Sequence, residues 1–142
     1  GIRVLEYNTR LGDPECQSIM ARLASDPIDL LTWICGAKND RPELHWSPKV
    51  ATCVVIASDG YPEAPVKGDV ITGLDFTPMV PDTVVFHAAT RMSEKGQLES
   101  VGGRTLSVVA LSDTLDGARR SAYKAVDMIQ LRGRRVRRDI GL

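Results

Sequence analysis

An excess of charge of either sign is the first thing missing: eighteen Lys and Arg stand against eighteen Asp and Glu among 142 residues. That balance removes any overall electrostatic reason to expect nucleic acid or a membrane surface as partner. No apolar run approaches the roughly 20 residues that span a bilayer, and the N-terminus lacks the charged and apolar regions of a secretory signal. Both absences predict a cytoplasmic protein. Cysteine is sparse as well. Cys16, Cys35 and Cys53 form an odd set with long, unpatterned spacings, which suits neither a disulfide framework nor a zinc site. They are expected to be small buried apolar groups in a reducing compartment. Aromatics make up only 5%, and there is no internal repeat or low-complexity segment. With 43% hydrophobic and 25% charged residues, the chain fits one compact unit, or one domain plus part of another.

The chain opens on Gly1-Ile2-Arg3-Val4-Leu5-Glu6-Tyr7-Asn8, which predicts a strand with no cap before it, as if a domain were entered midway. Asp13-Pro14 then supplies an N-cap and a first-turn proline for a short helix carrying Ile19, Met20 and Leu23. Asp26-Pro27 repeats the device. Ile28, Leu31 and Ile34 share one face of this second helix, and Gly36 stops it near residue 37. Residues 38–48 are polar, hold two prolines and lack periodicity, which predicts a boundary there.

Beyond that boundary, Val50 to Ala57 predicts a strand ended by Ser58-Asp59-Gly60, and a proline-rich loop leads to a short strand at Val70-Ile71-Thr72. Thr83 to Thr90, Gln97 to Val101 and Arg104 to Leu111 predict three more, the last two joined through Gly102-Gly103 as a tight hairpin. One helix follows the cap Asp113-Thr114, with Leu115, Ala118, Ala122, Ala125 or Val126, and Ile129 as its apolar stripe. The tail from Arg134 to Arg138 suits an edge strand whose arginines deter sheet-to-sheet pairing.

Alternate side chains of a strand share a face, so Glu6, Asn8 and Arg10 form one row: a carboxylate, an amide oxygen and a guanidinium. The first two are hard oxygen donors of the kind Mg²⁺ takes beside waters and phosphates, and arginine holds phosphate in a bidentate fork. Taken bare, E-x-N-x-R is a weak signal, because polar alternation on an exposed strand face is commonplace. The string Glu6-Tyr7-Asn8-Thr9-Arg10-Leu11-Gly12-Asp13-Pro14-Glu15 is more specific. It resembles the signature of the phosphoribosylamine–glycine ligases, in which a strand ending E-[FY]-N-x-R runs into a [FL]-G-D-P-E turn and helix. The likeness continues through Val54 to Pro62, Lys67 to Leu74, Val84 to Ala88, Gly102-Gly103-Arg104 and Arg137 to Gly141, in order along the chain.

The resemblance implies an ATP-grasp ligase: ATP phosphorylates the glycine carboxylate, and the amine of 5-phosphoribosylamine attacks the glycyl phosphate, a step of de novo purine synthesis. By match to the family pattern, Glu6 and Asn8 would bind Mg²⁺ or Mn²⁺ bridging ATP phosphates. Arg10 would steady the transferring phosphate, and Gly12 and Asp13 would lie near the glycine or phosphoribosylamine site. Asp13 equally serves as a helix cap. Gly102, Gly103 and Arg104 are a candidate phosphate cradle or simply turn residues. His87 lies in His87-Ala88-Ala89-Thr90, where the family shows H-A-G-T, and is read as structural before catalytic.

The fold implied is α+β. Residues 1–40 would close an ATP-grasp domain, and 46–142 would be the ligase C-terminal domain, a mostly antiparallel sheet or partial barrel under one covering helix. The ATP lid, the adenine pocket and the phosphoribosylamine domain have no counterpart here, so the chain alone is expected to be inactive and to need the missing N-terminal part as partner. Two alternatives remain: a non-catalytic packing module, and nucleic-acid binding through the Arg132 to Arg138 cluster.

Overall fold

A computed structural model describes all residues, 1–142. Helices α1 (Glu15–Arg22) and α2 (Pro27–Ile34) precede strand β1 (Val50–Ala57), and a 3₁₀ helix (Leu74–Met79) leads into β2 (Thr83–His87). Strands β3 (Thr90–Met92), β4 (Leu98–Ser100) and β5 (Arg104–Ser112) follow, and α3 (Leu115–Met128) closes the order. The architecture is α+β with antiparallel sheets under a covering helix, as expected.

The main sheet has the order β1-β5-β2, antiparallel throughout, with β5 in the middle. Strand side chains alternate, so Leu106, Val108 and Ala110 of β5 join Val54 and Ile56 of β1 on one face. Against them lie Ala122, Ala125 and Val126 of α3, then Ile129 and Leu131 just beyond it, forming the core. The intervening Thr105, Ser107 and Val109 are also buried, because α1 packs on β1 and β5 as α3 does. A strand buried on both faces reads as a nearly unbroken apolar run, which Thr105 to Ala110 largely is.

Most of the local end signals held. Asp26 accepts the Ile28 N–H at 2.8 Å with Pro27 in the first turn, and Gly36 takes φ +73° just past the end. Thr114 accepts the Gly117 N–H at 3.1 Å to start α3. Arg134 donates to the carbonyls of Val126 and Ile129, closing the negative end of that helix. The predicted Val50 to Ala57 strand matches β1 residue for residue.

Several expectations need correction. Residues 1–8 form no strand: they are exposed and hydrogen-bond to no neighbouring strand, and a strand is defined by such pairing. Asp13 does not cap α1, because Pro14 occupies the N-cap position and leaves Asp13 one residue too early. Val70 to Thr72 makes only single bridges, Val70 with Glu99 and Thr72 with Gln130. The Thr83 to Thr90 strand divides into β2 and β3, which belong to different sheets. Gly102-Gly103 is no hairpin turn, since β4 pairs with β3 while β5 pairs with β1 and β2. The arginine tail reduces to one bridge, Arg135 with Ala57. Cys35 is exposed and Cys16 and Cys53 are half-buried, so the thiols are free but not core groups. The α2 face of Ile28, Leu31 and Ile34 is more than half exposed at each position.

Candidate active-site wall

The segment from Glu6 to Asp13 runs along the surface into α1. Glu6 and Asn8 do come together: the Asn8 amide donates to Glu6 Oε1 at 3.1 Å. Arg10 turns back and donates to the Leu11 carbonyl at 3.2 Å. No set of three His, Cys, Asp or Glu side chains converges anywhere in the chain. Glu6 and Asn8 are hard oxygen donors, and as a pair they would suit a hard cation only within a ligand set completed from outside the chain.

Gly12 is buried while the residues before it are exposed. A Cβ there would meet the Glu15 carboxylate at 1.7 Å, and the Gly12 carbonyl accepts the Cys16 N–H at 2.8 Å. The Glu15 carboxylate is the free end of an exposed side chain and can swing aside, so the Gly12 carbonyl bond, more than the missing side chain, closes the turn onto α1. Asp13 accepts from Gln17 at 2.9 Å. It also meets Arg104, whose Nη1 donates to the Asp13 carbonyl at 2.8 Å and whose Nη2 lies 3.2 Å from the Asp13 carboxylate. Two candidates 91 positions apart are thereby joined.

The register explains how Arg104 gets there. Ile56 pairs with Leu106 but Ala57 pairs with Arg104, so Thr105 is an extra residue in β5. Strict alternation would send Arg104 to the α3 face with Leu106; the bulge reverses its side. Thr105 then donates its hydroxyl to the Ile56 carbonyl at 2.7 Å, satisfying a buried acceptor. Gly102 and Gly103 are fastened through their carbonyls, which accept from Ser58 Oγ and Ser58 N–H, both at 2.8 Å. Added Cβ atoms would strike Ala89 Cβ at 2.7 Å and the Tyr61 ring at 2.2 Å respectively. Close approach, then, accounts for both glycines. Tyr61 was not singled out from the sequence; the proline-rich loop that carries it gave no periodic signal.

Beside Pro14 and Arg104 a pocket of about 450 Å³ opens over Cys53, Val55 and Ala57, with Tyr61, Arg135 and Arg137 at its rim. Burial pushes the Cys53 thiol up to about 11 despite a hydrogen bond with Ser107, so it stays protonated. Arg135 holds Asp59 through two hydrogen bonds of 3.0 and 2.9 Å. Those bonds, with one from the Gly60 N–H, keep the Asp59 carboxyl below the usual carboxylate value. His87 is exposed, and its Nδ1 lies 3.1 Å from Thr90 Oγ1. The arginines of the tail each sit on an aspartate: Arg132 on Asp69, Arg134 and Arg138 on Asp127, Arg135 on Asp59 and Arg137 on Asp139. Their charge is largely neutralised within the fold.

A family model described as Phosphoribosylglycinamide synthetase, C domain, matches residues 51–142. The chain belongs to the phosphoribosylglycinamide synthetase family. A curated relative from Ralstonia nicotianae, named phosphoribosylamine–glycine ligase, is 47% identical over 139 residues, covering 98% of this chain and 32% of that protein. One of the same name from Neisseria meningitidis serogroup A is 46% identical over 136 residues, 96% of this chain and 32% of the relative. A crystal structure of phosphoribosylamine–glycine ligase from Thermotoga maritima superposes with a TM-score of 0.76 at 34% identity, covering 96% of this chain and 32% of that one. The chain thus spans about a third of the length of the synthetases it matches. No helix is long and apolar enough to cross a membrane.

Proposed function

We propose that this chain supplies one wall of the active site of an ATP-dependent ligase that joins glycine to 5-phosphoribosylamine through a glycyl phosphate. What carries the reading is that relatives 40–47% identical over nearly the whole chain bear the name of that ligase. Glu6 and Asn8 would hold Mg²⁺ or Mn²⁺, which would neutralise charge on the ATP phosphates. Arg10, whose guanidinium keeps donors free beyond its one bond to Leu11, would steady the transferring phosphoryl group. Gly12 and Asp13 would border the glycine or phosphoribosylamine site, and Gly102, Gly103 and Arg104 would sit near its anionic groups. Residues 1–40 would complete an ATP-grasp domain whose remainder is supplied by the N-terminal portion of the ligase, with residues 46–142 as the C-terminal domain.

The test is complementation. The chain is assembled with the N-terminal portion of a relative, and glycinamide ribonucleotide formation is measured for wild type, Glu6→Ala and Asn8→Ala. Glu6→Ala should lose about 10²–10³ in rate, the worth of one charge-stabilising contact of ~3–4 kcal/mol. Asn8→Ala should lose less, because a dipole and not a charge is removed. Wild-type rates for Glu6→Ala in a fully assembled complex would remove the metal-ligand assignment. The unassembled chain should show no glycine-dependent ADP release.

A further inference from the structure

We propose that Arg104 is a positioning residue for the Gly12-Asp13 turn, an inference that rests on reading Glu6 to Asp13 as a wall of the ligase site. Arg104 makes two contacts with one residue: it takes the Asp13 main-chain carbonyl at 2.8 Å and the Asp13 carboxylate at 3.2 Å. A planar guanidinium fork presents separate donors in fixed directions for this, whereas a lysine ammonium gathers its donors at one point and holds the two acceptors less firmly. No other hydrogen bond or ion pair of residues 10–14 reaches past α1. Arg104 is therefore the polar link that ties the turn after Glu6, Asn8 and Arg10 to the sheet.

The sheet side of the link is rigid. The Thr105 bulge turns Arg104 off the core face, and the two glycines before it are pinned by Ser58 and seated on Ala89 and Tyr61. On the other side, Asp13 is also oriented by Gln17 at 2.9 Å, so its carboxylate is shared between a helix side chain and a strand side chain. With Asp13 held by both elements, the turn that follows Glu6, Asn8 and Arg10 is anchored at a defined place relative to the sheet. Displacement of such groups by about 1 Å costs up to 10²-fold in rate.

The test uses the ligase assembled from this chain and the N-terminal portion of a relative, with Arg104→Met, Arg104→Lys, Asp13→Asn and the double variant Asp13→Asn/Arg104→Met. If Arg104 acts through Asp13, Arg104→Met lowers kcat/KM about 10- to 100-fold. Arg104→Lys recovers part of that. Because the two residues then form one unit, the double variant is no more than about threefold worse than the poorer single one. Hydrogen exchange on the 142-residue chain supplies a readout independent of turnover: the Cys16 amide, bonded to Gly12, should exchange several-fold faster in Arg104→Met. Multiplying effects in the double variant would make Arg104 an independent phosphate contact and overturn the positioning role. So would unchanged Cys16 exchange. A wild-type rate for Arg104→Met beside an impaired Glu6→Ala would overturn it while leaving the site wall standing, whereas unimpaired Glu6→Ala would bring down the wall itself.

Discussion

Gly68 and Gly73 share φ +84° but not their surroundings, which makes them a matched pair. An added Cβ at Gly68 meets nothing within 4 Å, whereas at Gly73 it would lie 2.0 Å from the Met128 carbonyl oxygen and 3.3 Å from Ile129 Cα. Alanine at either position carries the left-handed strain of about 1–2 kcal/mol, partly offset by about 0.4–1 kcal/mol from the stiffer unfolded chain. Gly68→Ala should therefore cost about 1 kcal/mol or less. At Gly73 the methyl must also push apart the segments paired by Thr72 N–H to Gln130 O at 3.0 Å and Gln130 N–H to Thr72 O at 2.9 Å. Overpacking of this kind costs ~1–3 kcal/mol, and weakening two hydrogen bonds adds ~1 kcal/mol more. The difference between the two variants is then about 2–4 kcal/mol, or roughly 5–15 °C in Tm for a chain this size. Thermal unfolding followed by circular dichroism, in parallel on both alanine variants, measures it. A Gly73→Ala melting point within about 2 °C of Gly68→Ala would refute the steric argument, since strain alone predicts equality.

Tyr123→Phe should destabilise by about 1–2 kcal/mol in urea unfolding, because the hydroxyl donates to Arg137 O at 2.8 Å and accepts from Ile140 N–H at 3.1 Å. An unchanged midpoint would mean that the tail is not clamped there. The Asp59 carboxyl, lowered chiefly by hydrogen bonds from Arg135, has a folded pKa below its unfolded one, so its contribution is present above about pH 4 and lost as pH falls through the lower folded value. Between pH 6 and pH 2 the Tm of Asp59→Asn should fall less steeply than that of wild type; parallel curves would contradict the linkage. Residues 46–142 should give a cooperative thermal transition on their own, since about 95 residues suffice for an autonomous core. A non-cooperative profile would show that α1, which lies on β1 and β5, is part of the same folding unit.

The difference between α2 and the opening segment shows how much was legible in the sequence. Asp26-Pro27 and Gly36 fix the ends of α2 through contacts made within a few residues and are legible in the sequence, whereas the same pair at Asp13-Pro14 misleads, because there Pro14 takes the N-cap place. The segment at residues 1–8 has equally good strand composition, yet a strand needs a hydrogen-bonded neighbour, and none of the 142 residues supplies one. The candidate site divides the same way. The ordered string from Glu6 to Glu15 pointed to the family without any coordinates, whereas the Glu6–Asn8 contact is a hydrogen bond in a segment that lacks the strand from which the spacing argument started.

By itself the sequence determined the β1 limits, the Thr114 cap of α3, its buried stripe from Ala118 onward though not Leu115, which is exposed, and the glycine stops, all set by periodicity and short-range hydrogen bonds. Tertiary structure decided which strands meet. Gly102-Gly103 looks like a hairpin turn until β4 is seen to pair with β3, and β5 lies between β1 and β2 although about fifty residues separate it from β1. It also decided where Arg104 points. A bulge exists only in the mismatch between two strands, Ile56-Ala57 against Leu106-Thr105-Arg104, and neither strand's own pattern records it. That mismatch turns the guanidinium away from the core and onto Asp13, a contact that no local periodicity encodes.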